Sequence, residues 1–351
     1  TSRCLQREQP HRRRFSASAR AAAPSAAGAQ VSAESSSESF EGYVLGLQDR
    51  IIAAVERAED GAAEFGTDRW ERGEGEGYGI TRVLEGGDLL EKAAVNVSVV
   101  RGTLSAARAA AMSGRGRAGI DPAGGQRYEA EAMSLVFHPR SPLVPTLRAD
   151  VRRFHVEGTN GGEGWFGGGC DLTPVYLFED DARAFHRHWR EVCGEAAVYE
   201  RFKLWCDDYF YIPARKERRG VGGIFFDDLA AGEGVEGAED AAAEPKDAEA
   251  FTRAVGDAIV ASWLPIVEQR RVLAYSDEQR NWQLIRRGRY LEFNLLYDRG
   301  VKFGLDGGRV ESIMVSAPPL IRWSYNVEPS EGSEEAELVQ VLSETPARAW
   351  I

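Results

Sequence analysis

The sequence predicts an α+β fold, and three observations carry that prediction. Val44, Leu45, Leu47, Ile51, Ile52 and Val55 recur at helical spacing, as a helix with one apolar face requires. Elsewhere the period drops to two: Tyr290-Leu291-Glu292-Phe293-Asn294-Leu295 and the run Val310 to Val315 alternate as strands do. Third, the 351 residues are 43% hydrophobic and 10% aromatic, enough to fill a sizeable core and to exclude a wholly disordered chain.

Residues 1–33 come first and differ from the rest. They hold six Arg and a single acid, Glu8, among many Ala and Ser, which is the pattern of an organelle transit peptide, with a plain tail as the alternative. Folding signals start near Tyr43. Residues 1–40 are therefore read as a leader and 41–351 as a single domain, since no composition shift or internal repeat divides them. Strands are expected at Asn96 to Val100 and Ala132 to Phe137, and helices over 179–194 and 249–271. Residues 113–126, rich in Gly and Arg, read as a loop. Residues 230–250 carry seven acids and one Lys, a low-complexity acidic insertion.

Charge and composition exclude several classes of function. The net charge is −12, a poor footing for general nucleic-acid binding. No apolar run approaches the ~20 residues of a membrane-spanning helix. Cys4, Cys170, Cys193 and Cys206 form no Cys-x-x-Cys pair, which argues against a disulfide framework or structural zinc. The histidines, His11, His138, His155, His186 and His188, show no metal-ligand spacing, so no metal is expected.

Three stretches bear chemistry. Trp165-Phe166-Gly167-Gly168-Gly169-Cys170-Asp171 places an acid directly after three glycines, either a tight structural turn or a site approached closely by a ligand. Gly222-Gly223-Ile224-Phe225-Phe226-Asp227-Asp228 ends in paired acids. Such a pair suits acid–base work, but a strand end with a turn is the favoured reading. Arginines form the third group: Arg148, Arg152 and Arg153 in one stretch, Arg286, Arg287 and Arg289 before Tyr290, and Arg309 after Gly307-Gly308. Guanidinium groups at strand ends and glycine turns suit an anionic ligand, with solvated surface arginine as the alternative for each.

Four long segments, EKAAVNVSVVRG, WFGGGCDLTPVYLFEDD, YERFKLWCDDYFYIPARKERRGVGGIFFDDL and RRGRYLEFNLLYDRGVKFGLDGGRVESIMVSAPP, closely resemble oxygen-dependent coproporphyrinogen-III oxidase. The resemblance runs from Tyr43 to Ile351. It implies a large flat antiparallel sheet covered by helices on both faces, and a homodimer. It implies oxidative decarboxylation of coproporphyrinogen-III to protoporphyrinogen-IX, with O2 as co-substrate and no cofactor. By the same resemblance Asp171 would contact the pyrrole N–H groups, and Arg152 would hold a propionate. Ser134, Asp150-Val151-Arg152 and Gly307-Gly308-Arg309 would touch substrate. A tetrapyrrole route exists in both plastid and mitochondrion, and the Ala/Ser-rich leader suits a plastid, with the mitochondrion as alternative.

The sequence departs from that family at a few positions. The pattern Pro-Thr-x-His-x-Asn-x-Arg is here Pro145-Thr146-Leu147-Arg148-Ala149-Asp150-Val151-Arg152. Arg148 thus stands where the family has a histidine proposed to move protons, and a guanidinium does not exchange a proton as imidazole does. Ala214 and Ala184 also replace family histidines, while His138 and His186 match retained ones. The alternative to a working oxidase is a paralogue that binds porphyrinogen, or dimerises with an active homologue.

Overall fold

The computed structural model describes residues 39–114, 117, 119–158, 162–230, 244–305 and 308–351. Most of the leader, most of the acidic insertion, and Gly307 lie outside these residues. Residues 38–351 cluster as one unit.

Helix α1, Phe40–Glu59, opens the described chain, and the Ser39 side chain caps it by accepting from the Gly42 N–H. Six strands follow: β1 Gly66–Glu71, β2 Gly77–Glu85, β3 Leu90–Thr103, β4 Arg127–Pro139, β5 Thr146–Val156 and β6 Glu163–Thr173, with the short α2, Ala106–Ser113, between β3 and β4. Next come α3 Glu179–Cys193, α4 Ala196–Tyr209, the short hairpin β7 Tyr211–Ile212 and β8 Glu217–Arg218, and β9 Gly222–Ala230. The described chain ends with α5 Ala248–Arg270, α6 Asp277–Leu296, α7 Arg299–Leu305, α8 Val310–Met314 and α9 Glu334–Ser343.

Seven strands make one antiparallel sheet in the order β1-β2-β3-β4-β5-β6-β9. The sheet is two-faced because its strands are. Along β3, β4 and β5 the odd positions are apolar and buried: Val95, Val97 and Val99, then Met133, Leu135 and Phe137, then Leu147, Ala149 and Val151. Against this face pack α1 and α5, with Phe137 meeting Trp263 of α5 at 5.2 Å between ring centroids. The even positions face the other way and turn progressively polar, from Ala94, Asn96 and Ser98 to Arg148, Asp150 and Arg152. Helices α6, α7 and α8 roof part of this second face. Tyr290 of α6 packs on Ala94 and Val136, and Phe293 packs on Phe225 of β9. The outer strand β1 is short and charged, which discourages pairing with another edge.

Two expected strands are helices instead. Tyr290–Leu295 is the end of α6, and Val310–Val315 contains α8. A six-residue alternation is short enough to coincide with a helical stripe. The stripe itself, Gln283, Arg286, Arg287, Tyr290 and Asn294, is largely polar yet buried, so apolar periodicity does not reveal it. The Ser276–Gln279 capping box fixes the start of the helix. Helix α5 is long and apolar enough to cross a bilayer, but half of its apolar stretch is buried inside the protein, as in a core helix.

Phe137→Ala should cost about 3–5 kcal/mol, because it empties a fully buried site beneath Trp263. Urea unfolding of the two proteins checks this, and a change under about 1 kcal/mol would contradict the packing described.

Candidate active site

Between the polar face of the sheet and the roof of α6–α8 lies a cleft in two connected lobes of about 480 and 590 Å³. That is the size range of small-molecule sites. Asn96, Ser134, Arg152, Asp227, Ser312 and Ile313 line both lobes, so the two volumes belong to one site.

Register places its floor. Arg148, Asp150 and Arg152 are successive cleft-facing residues of β5, opposite Asp171, Gly169 and Gly167 of β6. Ser134 stands beside Asp150 on β4. Asp150 is 5% exposed, and its carboxylate sits between two guanidiniums: Oδ1 lies 2.7 Å from Arg148 Nη1, and Oδ2 meets Arg152 Nη1. Burial pushes the Asp150 pKa up, but Arg148 and Arg152 outweigh it and hold the group below its usual value. The arginines answer in kind. Burial alone would lower both, yet Asp150 keeps each raised, helped at Arg148 by Asp298 and Asp171 and at Arg152 by Asp227.

The line of charge continues across the sheet. Arg152 Nη2 lies 3.1 Å from Asp227 Oδ1 on β9, and Asp227 Oδ2 lies 3.7 Å from Arg299 Nη2 on α7. A bulge adjoins Asp227. Register shifts between Phe166 and Gly168, so Asp227 and Asp228 together face Gly167, and Asp228 adopts φ 56°. Asp227 shares the cleft face with Phe225 by simple alternation, and the extra residue after it returns Leu229 to the core. Gly167 makes room for the pair: a Cβ there would come within 2.7 Å of both Arg152 Nε and Asp227 Oδ1. The acids of the Asp227-Asp228 pair therefore part company, because Arg117 Nη2 takes the Asp228 carbonyl at 3.0 Å outside the cleft. They are not a coupled carboxylate pair.

The other sequence candidates divide. Gly308 and Arg309 line the second lobe, where Arg309 pairs with Asp68 at 2.7 Å. Gly307 lies outside the described residues. Val151 is corrected: its side chain is fully buried in the core, because an odd position on β5 faces away from the cleft. Asp171 faces the cleft side of the sheet but is 2% exposed. Both its oxygens take Arg219 Nη2, at 2.9 and 2.8 Å. Arg219 is itself packed against Phe210, Tyr290 and Phe293, and it donates to Asn294 Oδ1 at 3.0 Å. Asp171 is therefore screened from the cleft, and its charge acts there through Arg148. Arg286, Arg287 and Arg289, expected as ligand-binding arginines, lie on α6 and pair with Glu217, Glu91 and Glu292.

Nor do the histidine positions converge. His186 is fully buried, with Nδ1 2.8 Å from the Tyr199 hydroxyl and Nε2 donating to the Val221 carbonyl at 3.0 Å. His138 lies under Tyr290, its Nε2 donating to the Ser316 carbonyl at 3.0 Å. Ala214 and Ala184 are exposed, in a turn and on α3. Among the described residues no three His, Cys, Asp or Glu groups gather as a metal site.

The sequence does not single out Arg299 as a site residue, and Tyr290 and Asn294 fall in the alternation that reads as a strand. Asp227 and Asp228 lie near a strand end, the favoured expectation, yet Asp227 also lines the cleft.

Fold and site together define a class: a sheet-floored cleft whose arginines alternate with carboxylates, a pattern that suits an anionic ligand. The comparisons specify it further. The family model for coproporphyrinogen III oxidase matches residues 39–350, and the chain belongs to that family. It is 48% identical over 308 residues to the mitochondrial oxygen-dependent coproporphyrinogen-III oxidase of Rattus norvegicus, covering 86% of this chain and 67% of that protein. To the protein of the same name from Homo sapiens it is 44% identical over 317 residues, covering 89% of this chain and 66% of that one.

Two predictions follow from the buried groups. Burial lowers the His138 and His186 pKa values to about 3. Unfolded, both rings would protonate near 6.5, so between those values the unfolded chain holds more protons. Stability should fall as pH drops below about 6.5, by at most about 1.4 kcal/mol per pH unit for each ring. Urea midpoints at several pH values measure this, and His186→Asn should give a shallower dependence. Separately, Arg219→Met should cost about 3–5 kcal/mol by stranding the Asp171 carboxylate. Arg299→Met, at a side chain 63% exposed, should stay within about 0.5 kcal/mol, and equal losses would refute the contrast.

Proposed function

We propose that this chain catalyses the oxygen-dependent oxidative decarboxylation of coproporphyrinogen-III to protoporphyrinogen-IX. Two propionate side chains become vinyl groups. Each loses CO2, two electrons and one proton, and the four electrons, with those two protons and two more taken from solvent, reduce one O2 to two waters. The observation that carries the reading is the row Arg148–Asp150–Arg152–Asp227–Arg299 along the cleft floor, in a chain of this family. Among the described residues seven arginines line the two lobes against four carboxylates, Asp150, Asp227, Asp298 and Glu131. A substrate with four carboxylates suits that surplus of guanidinium.

In this reading Arg148 and Arg152 grip propionates, and Ser134 borders them. The Arg148 guanidinium serves as a carboxylate ligand and a fixed positive charge, not a proton carrier. Asp171 supplies negative charge behind Arg148, and direct contact with ring N–H groups would require it to leave Arg219. The electrons come from the electron-rich porphyrinogen, and the reading includes no resident metal or organic cofactor. It also includes a homodimer and a removable organelle leader of about 40 residues. The mitochondrial names of the rat and human relatives favour the mitochondrion over the plastid of the sequence reading.

The test is an aerobic assay of purified protein with coproporphyrinogen-III, following protoporphyrin fluorescence after oxidation of the product. Product should appear above the enzyme-free rate, and Arg152→Ala should lower kcat/KM at least about tenfold. Binding without product would instead identify a porphyrinogen-binding paralogue, the reading that Arg148 in place of a family histidine favours.

A further inference from the structure

The two carboxylates in the charged row differ in how firmly they are held. Asp150 is buried, and each of its oxygens meets a different arginine. Asp227 is 26% exposed, touches Arg152 through one oxygen at 3.1 Å, and reaches Arg299 only at 3.7 Å. Arg299 itself is mostly exposed, on the roof helix α7. Alternation along β9 sets this carboxylate over Gly167, between a floor arginine and a roof arginine.

We infer that Asp227 is a displaceable counter-carboxylate, occupying the seat of a substrate carboxylate between Arg152 and Arg299 until that carboxylate replaces it. The exchange keeps the partly buried Arg152 guanidinium paired before and after binding, so it is never left bare. It also makes the seat selective. An incoming carboxylate replaces like with like. A neutral side chain in the same place leaves Asp227 on Arg152 and gains no ion pair. On the function proposed above, on which this inference rests, a side chain that has become a vinyl group no longer competes with Asp227, which closes on Arg152 again.

A carboxylate that merely positions Arg152 and one that competes with the ligand predict opposite signs. Titration of the protein with coproporphyrin-III, the stable oxidised tetracarboxylate, separates them by fluorescence. Asp227→Asn and Asp227→Ala should each tighten binding about tenfold, the scale of one charge-assisted contact, and should lower KM in turnover. Arg299→Gln should loosen binding and shrink the gain from Asp227→Asn when the two are combined. Glu311→Gln, removing an exposed acid on α8, controls for general charge and should shift binding less than about twofold. Weaker binding on Asp227→Asn, or an equal gain from Glu311→Gln, overturns the inference while leaving the proposed function standing. A wild-type chain that binds no coproporphyrin and forms no product overturns both.

Discussion

The arrangement of the cleft depends on the buried carboxylate of Asp150. A lone carboxylate at 5% exposure would be strongly disfavoured, and here two guanidiniums on the same strand offset that cost. In return the carboxylate holds both arginines against the sheet. Arg152, so held, reaches Asp227, and Asp227 reaches the roof at Arg299. Strand, neighbouring strand and helix are thus joined by one alternating row of charge that ends in the open cleft.

A second buried pair, Asp171 with Arg219, stands apart. It is walled by Phe210, Tyr290 and Phe293 and closed by Asn294, so it ties β6 to α6. The two acids have different work despite facing the same side of the sheet. Asp150 presents its arginines to the cleft, whereas Asp171 spends both oxygens on an arginine that the cleft does not reach. The glycines before Asp171 act accordingly. Gly167 leaves space that the Arg152–Asp227 pair fills, so the surface offered to a ligand there is charged as well as flat.

Parts of this were legible in the sequence. The run Leu147-Arg148-Ala149-Asp150-Val151-Arg152 is alternation of period two, and each residue falls on the face that this period assigns. It also removes Val151 from the cleft, though the resemblance had placed it there. The helices α1, α3 and α5 follow their apolar stripes. Helix α6 does not, because its inward face carries Gln283, Arg286, Arg287 and Asn294. A polar stripe has no hydrophobic period, and what makes it buried is a set of partners far away in the chain.

The sequence by itself therefore determined the family, the two-faced strands, and which residue types would meet an anionic ligand. Only the tertiary structure decided which arginines remain for that ligand. Arg286, Arg287 and Arg289 resemble Arg148, Arg152 and Arg299 in any local window. The first three are taken up by Glu217, Glu91 and Glu292, and the last three line the cleft. The physical reason is that an ion pair depends on distance in space: Glu217 and Glu91, which take up Arg286 and Arg287, lie 69 and 196 residues away in the chain.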